Sequence, residues 1–158
     1  MPAPEEIALE ALRDSLAWFP LEAATGGNVR LVALDEAANR AASFLDQRLL
    51  QHAHARTTIA GAWLETAAAG LAPCARYLFH TGHVGSTLLS RLIGAHAGFF
   101  SLREPALLRV LAEAPQAAAL SLPVTLALLG RRWRAGQHVV VKATSFVSEI
   151  ADPILAAS

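Results

Sequence analysis

Residues 77–91, YLFHTGHVGSTLLSR, join a short apolar run to a glycine-containing turn and then to a leucine-rich segment. The run predicts a strand and the leucine-rich segment predicts a helix. Between them, Gly82 and Gly85 adopt positive φ easily, so backbone N–H groups can face an anion. The first helical turn adds unpaired N–H groups and the positive end of the helix dipole. The stretch predicts a phosphate-binding loop; the alternative is a plain turn in which Ser86 and Thr87 only cap the helix.

The segments that follow this loop predict further strands alternating with helices. The predicted strands lie in 77–80, 99–102 and 138–145, and the predicted helices are 87–97, 105–114, 124–134 and 147–157. Such alternation is typical of a parallel sheet, whose ligands bind outside the carboxyl ends of the strands. Three polar segments should meet at that edge: 80–87, 103–104 and 142–145. We therefore expect an α/β fold in which residues 71–158 form a partial parallel sheet of the phosphate-loop type, flanked by helices.

Residues 1–70 are predicted to form a mostly helical N-terminal region. Apolar residues recur at steps of three and four along a first helix from Glu5 to Phe19, namely Leu9, Leu12, Leu16 and Phe19. Gly26 and Gly27 end helical structure, and 29–34 could be a short strand. Further helices are predicted over 36–54 and 57–69.

Composition excludes several classes of protein. The 158 residues carry 13 basic and 13 acidic side chains, so nothing indicates a nucleic-acid partner. The longest apolar stretch, 117–130, is too short to cross a membrane and is expected to be a buried helix. The acidic N-terminus is not a signal peptide, and a single cysteine fits the reducing cytoplasm.

The loop departs from the pattern of nucleotide triphosphatases. Only two residues separate Gly82 from Gly85, and no lysine precedes Ser86. Lys142 is the only lysine of the chain. Without an acidic strand end to hold magnesium, hydrolysis of ATP or GTP is not expected. The histidines of 51–54 do not share a helix face, so no metal site is predicted either.

The segment FHTGHVGSTLLSRLI, followed by SLREP, resembles the phosphosulfate-binding loop of the sulfotransferase family and the segment after it. Those enzymes transfer a sulfuryl group from 3′-phosphoadenosine 5′-phosphosulfate to a hydroxyl or amine, on a phosphate-loop fold and generally without a metal. The resemblance spans about 76–145 and implies that this chain uses the same co-substrate. Its acceptor would be a small molecule or a peptide.

The resemblance also implies roles for individual residues. The donor-binding loop would consist of Gly82, Val84, Gly85, Ser86 and Thr87, with the 5′-phosphate held by the last three. His83 stands where many members have a lysine or arginine that contacts the leaving phosphate. Glu104 matches a glutamate base of the tyrosine-directed and some bacterial members, and Lys142 would stabilise the sulfuryl oxygens. The histidine base of cytosolic members is absent, because the matching segment reads Lys142-Ala143-Thr144.

Plainer interpretations stay open for two of these residues. Glu104 could be an acid favoured by the start of a helix, and Lys142 a cation at the surface end of a strand. The family's binding site for the 3′-phosphate lies after a later strand, about where Ser158 ends this chain. We therefore expect a truncated N-terminal half, with activity by itself in doubt and an open sheet edge through which it could form a homo-oligomer. The alternatives are a kinase with a degenerate phosphate loop, and a non-enzymatic remnant or interaction module built on residues 1–70.

Overall fold

The computed structural model describes residues 9–51, 53, 55–82 and 84–158. The helices of this part are α1 (Leu9–Asp14), α2 (Glu36–Ala41), α3 (Gly61–Ala68), α4 (Ser86–Ala95), α5 (Ala106–Glu113), α6 (Leu122–Leu129) and α7 (Ala151–Ala156). The strands are β1 (Trp18–Ala24), β2 (Asn28–Ala33), β3 (Ala55–Ala60), β4 (Arg76–Leu78), β5 (Phe99–Arg103) and β6 (His138–Lys142). Four short 3-10 turns complete these elements: Thr25–Gly27, Gln47–Gln51, Pro115–Ala117 and Ser145–Ile150. The α/β class predicted from the sequence is confirmed.

An antiparallel sheet of order β1-β2-β3 occupies most of the N-terminal region. A tight turn at Gly26 and Gly27, with φ of 70° and 73°, folds β1 back onto β2, so that Ala24 pairs with Asn28. Positive φ at two successive residues is accessible to glycine at little cost, which is why the chain can reverse here. Pro20 lies in β1, an outer strand of this sheet, where proline is tolerated because one side of the strand makes no ladder hydrogen bonds.

The prediction of a mostly helical N-terminal region is therefore wrong. Leu12, Leu16 and Phe19 are fully buried as their spacing suggested, but α1 ends at Asp14 and Phe19 belongs to β1. The helix expected over 36–54 ends at Ala41. β3 occupies the start of the helix expected over 57–69. Strand pairing across the glycine turn overrides local helix preference, because each ladder satisfies backbone groups that isolated short helices leave exposed.

A parallel sheet of order β4-β6-β5 forms the second half of the described chain. The predicted strands are all present, and α4 and α5 follow β4 and β5 as the alternation of elements required. The last strand, β6, inserts between the first two, so β4 and β5 are the outer strands of this sheet. The prediction of a parallel sheet flanked by helices is confirmed.

The two halves share one hydrophobic core. Its largest cluster combines residues from before and after residue 70, including Phe19, Leu34, Phe100, Leu126 and Val141. α5 packs against β1, and α3 packs against α6. Packing of these helices therefore fixes how the antiparallel sheet is placed relative to the parallel one.

The apolar stretch 117–130 contains α6, and residues Thr125 to Leu129 of this helix are buried. The prediction of a buried helix is confirmed. Among the described residues, no helix combines the length and apolar character needed to cross a bilayer.

Candidate functional site

The three parallel strands end at the same level. Lys142, at the end of the central strand, pairs with Leu78 of β4 and with Arg103 of β5. Beyond these pairs, Ala143 donates a backbone hydrogen bond to the carbonyl of Leu78 at 3.1 Å, and Glu104 donates one to the carbonyl of Lys142 at 2.7 Å. Residues that follow each strand are thus brought to one edge of the sheet, as the sequence predicted.

The glycine loop follows the first of these strands and leads into α4. Gly82 and Gly85 have φ of 83° and 76°. A Cβ atom at either position would meet no atom within 4 Å, so backbone conformation, and not space, requires glycine here. Val84 is exposed, whereas Ser86 is 8% exposed and begins the helix.

Donors at the start of α4 point out of the helix without partners. Gly85 precedes the helix, and its carbonyl accepts the first helical hydrogen bond, from Leu89, at 3.1 Å. Within the described part of the chain, the backbone N–H groups of Ser86 and Thr87 donate no hydrogen bond, and no side chain caps the helix. This end of α4 therefore has the donors and the dipole that an oxyanion requires.

Two further polar atoms at this edge lack partners within the described residues. His80 Nδ1 accepts a hydrogen bond from the Gly82 N–H at 3.0 Å, so its proton lies on Nε2, which is buried and unpaired. Thr144 Oγ1, just after β6, is also buried and unpaired. Buried polar groups are normally paired, so both atoms are candidates to contact a ligand. The sequence signal for His80 was its position between β4 and the glycine turn.

Glu104 and Lys142 form an ion pair at the same edge, between Oε1 and Nζ. The Lys142 side chain is 2% exposed and that of Glu104 is 22% exposed. The interpretation of Lys142 as a surface cation is therefore wrong: its ammonium lies inside the protein, against Glu104. Glu104 also has a φ of 52°, a left-handed conformation that is uncommon for residues other than glycine and is concentrated at functional sites.

Arg103, by contrast, turns away from this edge. Its guanidinium is buried and donates to carbonyls at the end of α2, from Nε to Ala42 at 2.8 Å and from Nη2 to Arg40 at 2.6 Å. Because these donors are engaged with the end of α2, Arg103 is not available to the site beside Glu104. Arg103 ties β5 to α2.

A polar cleft of about 570 Å³ opens beside Glu104. Its charged and hydroxyl-bearing walls come from β1, α5, the start of the 3-10 turn Gln47–Gln51 and the segments after β5 and β6. They include Glu22, Asp46, Arg48, Glu104, Arg109, Glu113 and Thr144. It is large enough for a small molecule or a short peptide segment, and Glu104 reaches its surface.

Comparisons with models of protein families, with curated proteins and with solved structures found no match to this chain. His83 lies outside the described residues. Within those residues, no three histidine, cysteine, aspartate or glutamate side chains come together where they could hold a metal ion.

The arrangement offers three chemical elements at one sheet edge. The start of α4, with Ser86 and Thr87, provides hydrogen-bond donors for an oxyanion. The Glu104–Lys142 pair provides a carboxylate and an ammonium. The polar cleft provides room for a second reactant next to the carboxylate. These are the components of a group transfer in which charge develops on oxygen and a proton must be accepted.

Proposed function

We propose that this chain has a sulfotransferase-like function and binds 3′-phosphoadenosine 5′-phosphosulfate at residues 82–87. The observation that carries the proposal is the loop itself. Two glycines in positive φ join the carboxyl end of a parallel strand to a helix whose first N–H groups have no partner in the described chain. Helix starts of this kind bind phosphate groups.

The donor would be held by its 5′-phosphate. The N–H groups and hydroxyls of Ser86 and Thr87 contact that phosphate, and His80 Nε2 supplies a further donor beside the loop. His80 Nε2 is buried without a hydrogen-bond partner among the described residues. In this hypothesis the donor phosphate would provide that partner.

Transfer would take place between the loop and the polar cleft. The acceptor hydroxyl forms a bond to sulfur while the bond from sulfur to the bridging phosphate oxygen breaks. The hydroxyl proton passes to the Glu104 carboxylate, and 3′-phosphoadenosine 5′-phosphate leaves. In the unliganded chain, Lys142 and Glu104 are paired with each other. For the transfer, Lys142 must therefore leave Glu104 and contact the sulfuryl oxygens instead.

The kinase alternative has less support. A phosphate loop that binds Mg-ATP uses a lysine on the β- and γ-phosphates and a carboxylate or hydroxyl on magnesium. The only lysine of this chain is buried against Glu104. Lys142 ends β6 and does not precede Ser86, so it does not stand where a nucleotide-binding phosphate loop carries its lysine.

Calorimetric titration with 3′-phosphoadenosine 5′-phosphate tests the proposal. We expect saturable binding that Ser86→Ala combined with Thr87→Ala weakens at least about tenfold, since each lost charge-assisted hydrogen bond costs roughly 1.5–3 kcal/mol. Thr58→Ala, an exposed hydroxyl on β3, is the matched control and should bind like the unaltered chain. Tighter binding of Mg-ATP would favour the kinase alternative. A folded chain that binds neither nucleotide would contradict the proposal and favour a non-enzymatic role.

A further inference from the structure

A second cleft lies at the other end of α4 and is lined by four arginines. It has a volume of about 590 Å³, and the guanidinium groups come from Arg40, Arg91, Arg103 and Arg134. The remaining wall consists of small residues at the end of α4 and Ser101 of β5. α4 has 10 residues, so this cleft and the glycine loop are separated by about 15 Å along the helix.

The positive charges in this cleft are not balanced by the described residues. Among the described residues, Glu36 is the only carboxylate that forms an ion pair with any of the four, namely with Arg40 and with Arg134, each at 2.7 Å. Four guanidinium charges and one carboxylate leave an excess of three positive charges. These arginines, with Arg134 as the main cause, hold the pKa of Glu36 below its usual range.

Two of the arginines have structural tasks. Arg40 uses Nε on Glu36 and its two terminal nitrogens on the carbonyls of Gly94 and Phe99. Arg103 is 4% exposed and donates to the end of α2. Burial first, and then the nearby charges, lower the pKa of Arg103. These two residues fix the cleft and give it a positive potential.

The other two arginines keep donors free. Within the described part of the chain, the Arg91 side chain makes one hydrogen bond, to Ser43 Oγ at 2.9 Å, and the Arg134 side chain makes one, to Glu36 at 2.7 Å. Both are exposed at the rim. The shared ion pair with Glu36 accounts for the approach of Arg134 to Arg40, whereas Arg91 lines the same cleft with only Ser43 as its partner among the described residues. Like charges at close range are destabilising without a counterion, so their convergence calls for an anionic ligand.

We propose that this arginine cleft is a second binding site, for a small molecule that carries a phosphate or sulfate group. A guanidinium presents parallel N–H donors that match two oxygens of a tetrahedral oxyanion. Arg91 and Arg134 would provide this contact, and Arg40 and Arg103 the surrounding potential. The volume exceeds that of the oxyanion alone, so an organic group also fits beside the small side chains of α4. The site does not depend on the proposed sulfotransferase function.

Titration with inorganic pyrophosphate at low ionic strength tests the site. The variant is Arg91→Gln with Arg134→Gln, and the charge-matched control is Arg56→Gln with Arg76→Gln, two exposed arginines outside the cleft. We expect the cleft variant to bind at least about tenfold more weakly and the control to bind like the unaltered chain. Ser86→Ala with Thr87→Ala should remove only the binding that the glycine loop contributes, and the binding that depends on Arg91 and Arg134 should remain.

Three results would overturn the proposal. One is a folded, unaltered chain that binds no pyrophosphate. Another is an equal loss in the cleft variant and the control, which would indicate general electrostatic attraction. The third is a loss confined to the Ser86 and Thr87 variant, which would assign the anion to the glycine loop. Circular dichroism establishes that each variant is folded, and Arg91→Gln alone replaces the double variant if the latter unfolds.

Discussion

At the scale of single residues, the Glu104–Lys142 pair links stability to the proposed chemistry. The resemblance assigned these residues separate roles, as a base and as a sulfuryl-stabilising cation. The structure brings them into contact in the unliganded chain, with the lysine almost wholly buried. A buried ammonium is tolerated only with a partner, so Glu104 holds Lys142 in place as well as facing the cleft.

Replacing Glu104 should therefore destabilise the protein. Glu104→Gln leaves the Lys142 ammonium buried without its counter-charge, and we expect a loss of about 2–4 kcal/mol in the free energy of unfolding. Lys142→Met combined with Glu104→Gln removes both charges and should recover much of that loss. Urea unfolding of the single and double variants measures their free energies of unfolding. A double variant whose loss equals the sum of the two single losses would show that the pair is not coupled.

At the scale of elements, α4 packs through its small residues. Leu88, Leu89 and Leu92 are 47–64% exposed, whereas Ser90 is buried with its hydroxyl 2.5 Å from that of Ser101 in β5. A Cβ added at Gly94 would lie 3.0 Å from the Ser101 side chain. The helix thus approaches the sheet closely by presenting serine and glycine to it.

The junction of β3 and α3 depends on a similar close approach. A Cβ at Gly61 would lie 2.5 Å from the Ala119 carbonyl oxygen and 2.8 Å from that of Gly27. Both are backbone atoms, so the chain itself must move. We expect Gly61→Ala to cost about 1–3 kcal/mol and to loosen the hairpin turn of the antiparallel sheet.

Thermal or urea unfolding measures this effect against Gly98→Ala. Gly98 is partly exposed, and its added Cβ would meet only the His96 ring, at 3.4 Å. The control should stay within about 0.5 kcal/mol of the unaltered protein. Equal stability of the two variants would contradict the predicted clash at Gly61.

At the scale of the whole molecule, Arg131 connects the two halves of the chain. Its buried guanidinium donates to carbonyls around the α1–β1 junction, at Leu12, Ser15 and Trp18, and to Leu128 at the end of α6. Burial lowers the pKa of Arg131 to about 9, which leaves the side chain charged at neutral pH. One planar group thus satisfies carbonyls from two distant parts of the sequence.

Removing this link should destabilise the whole fold. Arg131→Met leaves several buried carbonyls without donors, and we expect a loss of about 3–5 kcal/mol in the free energy of unfolding. Arg132→Met is the matched control, because Arg132 is exposed and only approaches Cys74 Sγ at 3.7 Å. Chemical denaturation measures the free energy of unfolding of the Arg131→Met and Arg132→Met variants. A loss at Arg131 no larger than that at Arg132 would contradict the structural role.

The local patterns of residues 77–145 were sufficient to predict the parallel half of the fold. Glycine spacing indicates positive φ, apolar runs indicate buried strands, and the alternation of elements indicates parallel pairing; each property depends on near neighbours in sequence. The same alternation predicted that Glu104 and Lys142 lie at one edge of the sheet, and the resemblance to sulfotransferases supplied their expected roles.

Three features of the protein were decided only by the tertiary structure. The antiparallel sheet arises from pairing across Gly26 and Gly27, the Glu104–Lys142 contact from the register of β5 and β6, and the arginine cleft from α2 lying against the end of α4. Residues far apart in sequence create the antiparallel sheet, the ion pair and the cleft. A helical spacing of apolar residues, as at Leu12, Leu16 and Phe19, can also continue where the chain changes from helix to strand. Burial depends on spatial neighbours, which local periodicity alone does not specify.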